Sequence, residues 1–338
     1  MNIKDAIKTV VAEQHLSVDA ATAVFNQIMS GDATDAQIAA FIVALRLKGE
    51  TVDEITGAVS VMREKATIIN CNNKEHLVDT CGTGGDGANT FNISTTAAFV
   101  TAGAGATVAK HGNRNVSSKC GSADVLEALG VKVNVPPTVM EQCLNDIGIA
   151  FLFAPSLHAA MKHAIGPRKE IGVRTVFNIL GPLTNPAGAP NQVIGVFSGA
   201  ITESLAQVLN NLGSKRAFVV HGNDPLDEVS LSSDTRVSEL RYGEVTTYNV
   251  KPEDFGLQRV KISEIAGDEA KENALITRAI LDGKKGVHRD IVVLNAAFAI
   301  TAAGLAETPL DAISMAQESI DSGAALDKLN KLIVMSNG

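Results

Sequence analysis

Apolar residues recur at helical spacing from the start of the chain, with Ile3, Ala6, Ile7, Val10 and Val11 on one face. Ser17 is placed to cap a second helix that stops at Gly31. Thr34-Asp35-Ala36-Gln37 and Thr51-Val52-Asp53-Glu54 both match a capping box ahead of an apolar-periodic run. The pattern predicts a helical unit over residues 1–70. It carries no glycine loop and no convergent polar cluster, and reads as a structural or oligomerisation domain. Its basic turn, Ala44 to Glu50, reads as solvated.

From about Cys71 the rhythm changes to short β-branched runs alternating with helices. Strands are predicted at His76–Val78, Ala106–Lys110, Val131–Val135, Ile149–Ala154, Val193–Phe197 and Ala217–His221. Helices are predicted between them, among them Thr96–Thr101 with Ser94 as N-cap, Ser122–Leu129 ended by Gly130, and Thr138–Ile147 ended by Gly148. Glu170–Leu180 reads as a further helix before the stiff loop Gly181 to Pro186, and the segment about 165–190 is expected to pack back on the N-terminal helices. A polar strand-and-loop region follows to about Ile265. Helices at Glu272–Leu281, Arg289–Ala303, Leu310–Ser322 and Ala325–Val334 complete the chain. Alternation of this kind predicts an α/β domain over 71–338 whose mainly parallel sheet is flanked by helices. Ligands of such sheets bind beyond the carboxyl ends of the strands.

Composition narrows the function classes. A chain of 338 residues with 45% hydrophobic content can bury a large core, in two domains. No apolar run reaches the ~18 residues of a membrane span, and Met1 to Asp5 lacks a signal-peptide pattern, so a soluble cytoplasmic protein is expected. The four cysteines lack Cys-x-x-Cys spacing, which argues against zinc and a disulfide framework. A net charge of −8 argues against a polyanion binder, whereas a small anionic substrate needs only a local cluster.

One such cluster is written into the chain. Gly82-Thr83-Gly84-Gly85-Asp86 lacks the Gly-Lys-Ser/Thr close of a Walker A loop and the spacing of a dinucleotide fingerprint. Thr90, Asn92, Ser94 and Thr95 follow at a helix start, adding hydroxyls and an amide where bare N–H groups and a dipole face an anion. Lys110, His111, Gly112, Asn113 and Arg114, with Ser117 and Ser118, come straight after a strand and read as a second part of a phosphate cradle. Asp227 and Glu228 are surface acids or, beside phosphate, magnesium ligands. Arg168 suits a carboxylate, or an ion pair with Glu170. His158 and His163 are off the spacing of a two-histidine metal site, and no Gly-x-Ser-x-Gly elbow or nucleophilic cysteine context occurs.

Six stretches closely resemble the anthranilate phosphoribosyltransferases. They are Cys81 to Asp86, Thr90-Phe-Asn-Ile-Ser-Thr95, Lys110-His-Gly-Asn-Arg114, Gly121 to Gly130, Gly172 to Pro186 and Leu226-Asp-Glu-Val-Ser230. Ala44 to Thr51 is similar to that family's helical-domain turn, and the likeness runs over nearly the whole chain in order. The resemblance implies a nucleoside phosphorylase/phosphoribosyltransferase-like fold. It also implies transfer of phosphoribose from 5-phosphoribosyl 1-pyrophosphate to anthranilate, two Mg²⁺ per monomer, and a homodimer formed through the helical domain. Gly82, Gly85, Asp86, Thr90, Asn92, Ile93, Ser94, Thr95, residues 110–118 (Asn115 and Val116 included) and Ser122 would then hold the phosphoribosyl donor. Gly82, Asn113, His158, Arg168 and Pro182 would face anthranilate, and Ser94, Asp227 and Glu228 would bind the metal. A pyrimidine nucleoside phosphorylase is the nearer rival, and a non-catalytic nucleic-acid-binding relative the more distant one. The net charge and the intact acid pair count against the latter.

Overall fold

The computed structural model describes residues 1–114 and 119–338. Helices α1 (Ile3–Val11), α2 (Val18–Ser30), α3 (Asp35–Lys48) and α4 (Val52–Glu64) form the N-terminal unit. Ser17 caps α2, and Thr34 with Gln37 and Thr51 with Glu54 close reciprocal capping boxes. The turn after α3 is not simply solvated. Lys48 is drawn inward to Glu54 at 3.0 Å because the Glu54 carboxylate, buried while capping α4 and accepting the Leu16 N–H, needs a cation. Gly57 lets α2 and α4 cross closely, since a Cβ there would lie 2.6 Å from the Val18 carbonyl oxygen.

The chain then enters the sheet through β1 (Leu77–Gly82), α5 (Ile93–Gly103), β2 (Thr107–Gly112), α6 (Ser122–Ala128), α7 (Pro137–Gln142) and β3 (Ile149–Phe153). Short α8 (Ala154–Leu157), then α9 (Lys162–Ile171) and α10 (Phe177–Leu180), lead to β4 (Asn191–Gly195), α11 (Thr202–Asn211) and β5 (Arg216–Gly222). A hairpin of β6 (Thr235–Arg241) and β7 (Glu244–Val250) precedes α12 (Ala270–Leu281), α13 (Val287–Ala302), α14 (Pro309–Asp321) and α15 (Ala324–Asn337). The sheet order is β3-β2-β1-β4-β5-β6-β7, parallel from β3 to β5 and antiparallel at β6 and β7.

Three further expectations are corrected. Val131–Val135 is a connecting segment, not a strand: Val131 and Val133 bury their side chains, but the segment pairs with no neighbour. The helix expected at Glu170–Leu180 is broken into α9 and α10, because Gly172 takes a left-handed φ of 67° and ends the first. Ser94 lies inside α5, whose cap position is Asn92 without a side-chain cap bond.

Alternation along the strands divides the core. Phe218 and Val220 face α5 and α13, while Ala217 and Val219 join a cluster shared with α11 and the helical unit. α9 packs on α2 and α3, and Phe25 meets both Phe41 (5.9 Å) and Phe177 (6.0 Å) edge-on. The ladder between β1 and β2 covers only Leu77↔Thr107 and Val78↔Val108. By contrast, β1 follows β4 out to Gly82↔Gly195, and β2 follows β3 to Gly112↔Phe153. The sheet is therefore split at its carboxyl edge beside β1.

Gly57→Val is expected to overpack the α2–α4 crossing and cost about 2 kcal/mol, read from the urea midpoint.

Candidate active site

Loops from β1, β2, β4 and β5 converge at the carboxyl edge. The order of the sheet places β1 between β2 and β4, so the chain leaves β1 and β4 in opposite directions and a crevice opens there. The turn carrying Asp227 lies over it. A side chain at Gly195 would collide with the Asp227 carbonyl, and a Cβ at Gly82 would lie 2.6 Å from Asp227 Oδ2. Both glycines are needed for that close approach.

The glycine loop is held from several sides. Gly84 N–H donates to Asp227 Oδ2 at 2.8 Å, and Asp227 N–H donates to Asp86 Oδ2 at 3.3 Å. Asp86 Oδ1 accepts the Ala88 N–H at 3.1 Å, and Arg174, stacked 4.5 Å from the Phe197 ring centroid, donates to the Gly85 carbonyl. The first turn of α5 presents Ser94, whose N–H donates to Glu228 Oε1 at 3.0 Å and whose hydroxyl also reaches that carboxylate. Thr95 and Ile93 are buried against the core. Thr90 bridges to Ala266, while Asn92 bonds Cys120 and Asn273.

Asp227 and Glu228 are half-buried. Burial, then the neighbouring Asp86 and Glu228 carboxylates, pushes Asp227 well above the usual carboxylate range. Burial also raises Glu228, against the pull of Lys110 and the Ser94 bonds. The corner is thus acidic beyond what its own residues neutralise. Lys110, 4% exposed, is the cation within it and donates to the Thr80 carbonyl. Among the described residues no three His, Cys, Asp or Glu side chains form a ready metal cage. Mg²⁺ ordinarily takes one or two carboxylates together with phosphate and water oxygens, and the donor set at Asp227, Glu228 and Ser94 fits that habit.

Next to Lys110, His111 and His158 form a buried pair with their Nε2 atoms 3.2 Å apart. Asn113 and Arg114 are exposed, and the Asn113 carbonyl accepts the Ser122 hydroxyl at 3.1 Å. Arg114 is turned to Asp124 at 3.1 Å and Glu127 at 2.6 Å, so its charge is already engaged. Asn115, Val116, Ser117 and Ser118 lie outside the described residues. Arg168 sits 5.2 Å from the Phe177 ring centroid, with no carboxylate among the described residues, Glu170 included, paired to it. Pro182 is buried, its carbonyl accepting Gln192 Nε2 at 3.0 Å.

Direct contacts therefore gather the Gly82 loop, Asp86, Ser94, Asp227 and Glu228, and separately His111 with His158. Arg168 touches neither group. Sequence reasoning passed over Asp79, Arg174 and Asn185. Asp79 carried a signal, an acid inside an otherwise buried strand; Arg174 carried none. A cavity of about 620 Å³ lies at the other end of the sheet, near the starts of β4 and β5. Two of its cations are engaged, Arg216 by Glu239 and Arg241 by Glu307.

Residues 74–326 match the family model described as glycosyl transferase family, a/b domain, and residues 4–66 match its helical bundle domain. An anthranilate phosphoribosyltransferase of Moorella thermoacetica is 57% identical over 331 residues, covering 98% of this chain and 97% of that protein. One of Geotalea daltonii is 54% identical, with 99% of each chain covered. Among solved structures, the anthranilate phosphoribosyltransferase of Thermus thermophilus superposes with a TM-score of 0.94 at 40% identity, over 99% of this chain and 100% of that one. The Saccharomyces cerevisiae enzyme in complex with PRPP and Mg does so with a TM-score of 0.89 at 29% identity, over 99% and 98%. The same yeast enzyme has also been solved with 4-fluoroanthranilate, at a TM-score of 0.88 and 28% identity, over 99% and 97%.

The histidine pair sets a pH dependence. Burial pushes His111 down to about 3, helped by the His158 ring, and His158 down to about 4, so both are neutral in the fold. In the unfolded chain they take protons near their ordinary 6.5, so stability falls as pH falls from there towards the folded values. His158→Asn is expected to flatten the decline in urea midpoint between about pH 7 and 5; an equally steep decline would contradict it.

Proposed function

The chain belongs to the anthranilate phosphoribosyltransferase family, and we propose that its crevice transfers phosphoribose from 5-phosphoribosyl 1-pyrophosphate to the amine of anthranilate. The C1–oxygen bond to pyrophosphate breaks, a C1–nitrogen bond forms, and the amine loses a proton. The observation that carries this reading is the meeting of a glycine loop, a helix start, Lys110 and the Asp227–Glu228 acids in one crevice. That assembly suits a ligand bearing several phosphates and accompanied by cations.

Asp227, Glu228 and Ser94 would hold two Mg²⁺ per protomer. Such ions neutralise the charge that builds on a departing pyrophosphate. The chain's own residues would bind and orient. Backbone N–H groups of the Gly82–Asp86 loop and the start of α5, with Thr90, Asn92 and Thr95, would take phosphate oxygens and ribose hydroxyls. Lys110 and the 111–118 loop with Ser122 would close the other side. Arg168 would meet the anthranilate carboxylate as a planar fork, with Gly82, Asn113, His158 and Pro182 around the ring. Among the described residues no obvious base stands ready, since His111 and His158 are buried and paired with each other. An oxocarbenium-like transition state, expected by analogy with glycosyl cleavage, lessens the need for one. Catalysis then rests on alignment of the amine and electrostatic relief of the leaving group. The named relatives favour this over a nucleoside phosphorylase.

A cytoplasmic homodimer completes the reading. No helix among the described residues is long and apolar enough to cross a membrane. Val11, Leu47, Ile165 and Val173 are exposed apolar side chains on or beside α1, α3 and α9 of the helical unit. They support an interface there.

Loss of anthranilate fluorescence should require the protein, donor and Mg²⁺ together and stop with EDTA; no loss with folded protein would overturn the reading. Asp227→Asn with Glu228→Gln is expected to cut kcat at least about 100-fold and raise the Mg²⁺ requirement, with wild-type Mg²⁺ dependence counting against the metal assignment. Arg168→Ala should raise KM for anthranilate about tenfold and leave that for the donor nearly unchanged.

A further inference from the structure

Beyond Val78↔Val108 the ends of β1 and β2 are joined by side chains instead of a ladder. Asp79 Oδ1 accepts the His111 N–H at 3.0 Å, Lys110 Nζ donates to the Thr80 carbonyl, and Asn185 Nδ2 donates to the Ala109 carbonyl at 2.8 Å. All three side chains are buried, Asp79 completely. Its Oδ2 makes no hydrogen bond of good geometry, although the Asn185 amide and Cys81 thiol lie close enough to favour the charged form. Burial nonetheless pushes Asp79 up to about 6.

A lone buried carboxylate is costly, and a well-packed apolar residue would serve a purely structural strand better. The Lys110 ammonium, bonded to the carbonyl of Thr80 next in the chain, is the nearby cation that offsets it. Burial pushes Lys110 down, and of the charges that oppose this the largest contribution comes from Asp79, ahead of Cys81, Glu228 and Asp227.

The geometry points to Asp79 as a positioning residue for the donor site: one oxygen fixes the His111 main chain where the ladder is missing, and its charge holds the Lys110 ammonium at the crevice. The inference rests on the reading above, in which Lys110 contacts the phosphoribosyl donor. Asp79 touches no substrate itself and acts through its two neighbours on β2.

The test is a double-mutant cycle on the full chain, reading the Kd of 5-phosphoribosyl 1-pyrophosphate with Mg²⁺ by titration calorimetry. Asp79→Asn keeps an acceptor for the His111 N–H and removes the charge, so it should weaken binding about tenfold. In a Lys110→Met background the same change should weaken binding less than about threefold. An equal loss in both backgrounds, or no loss in either, overturns the proposal. Asp79→Glu covers the case in which Asp79→Asn does not fold: it keeps the charge but displaces it and must also raise Kd, and an unchanged Kd overturns the proposal. Wild-type protein that fails to bind the donor would instead overturn the proposed function.

Discussion

Parallel strands can keep their ladder to the end or spread their ends to admit a ligand, and each spread pair leaves backbone N–H and C=O groups without partners. The carboxyl edge of this sheet is organised by that constraint. Where β1 parts from β2, the orphaned groups are taken up by Asp79, Lys110 and Asn185, all buried. Where β1 stays beside β4, the ladder continues to Gly82↔Gly195, and the glycine pair lets the Asp227 turn settle on the strands. One side of β1 is thus bridged by polar side chains and the other by close backbone contact.

The charge distribution follows from these two solutions. Bridging the split places a carboxylate and an ammonium in the interior, and the glycine contact brings Asp227 and Glu228 against Asp86. Carboxylates then outnumber cations in the corner, and burial holds Asp79, Asp227 and Glu228 above their usual range. A corner with surplus negative charge attracts metal ions, and metal ions attract pyrophosphate. Phosphate recognition as proposed here would need little positive charge of the protein's own, in keeping with a net charge of −8.

Local rules made much of this legible. Capping boxes at Thr34 and Thr51 and the stop at Gly31 were readable because they depend on neighbours three or four residues away. The strand runs were readable because buried parallel strands are continuously apolar. Val131–Val135 misled for the same reason: an apolar β-branched run shows burial, and only the sheet decides whether an edge remains to pair with. Lys48 misled because its partner, Glu54, is brought to it by helix packing. The glycine loop and the acids at 227 and 228 stood out by composition. That Asp86 would meet Asp227, or Arg174 the Gly85 carbonyl, depends on contacts between residues 89 to 141 positions apart, which periodicity cannot express.

The start of α5 carries a consequence for selectivity. Its free N–H groups and positive dipole would ordinarily collect any passing phosphate. Here the Glu228 carboxylate already accepts the Ser94 N–H, so the helix end carries its own anion. Inorganic phosphate, arriving without a counterion, would have to compete with that acid. A pyrophosphate ester that travels with divalent metal would instead find in the same acids the ligands proposed above. Under the proposed function, the helix start would thus favour phosphate that arrives with metal over the free anion.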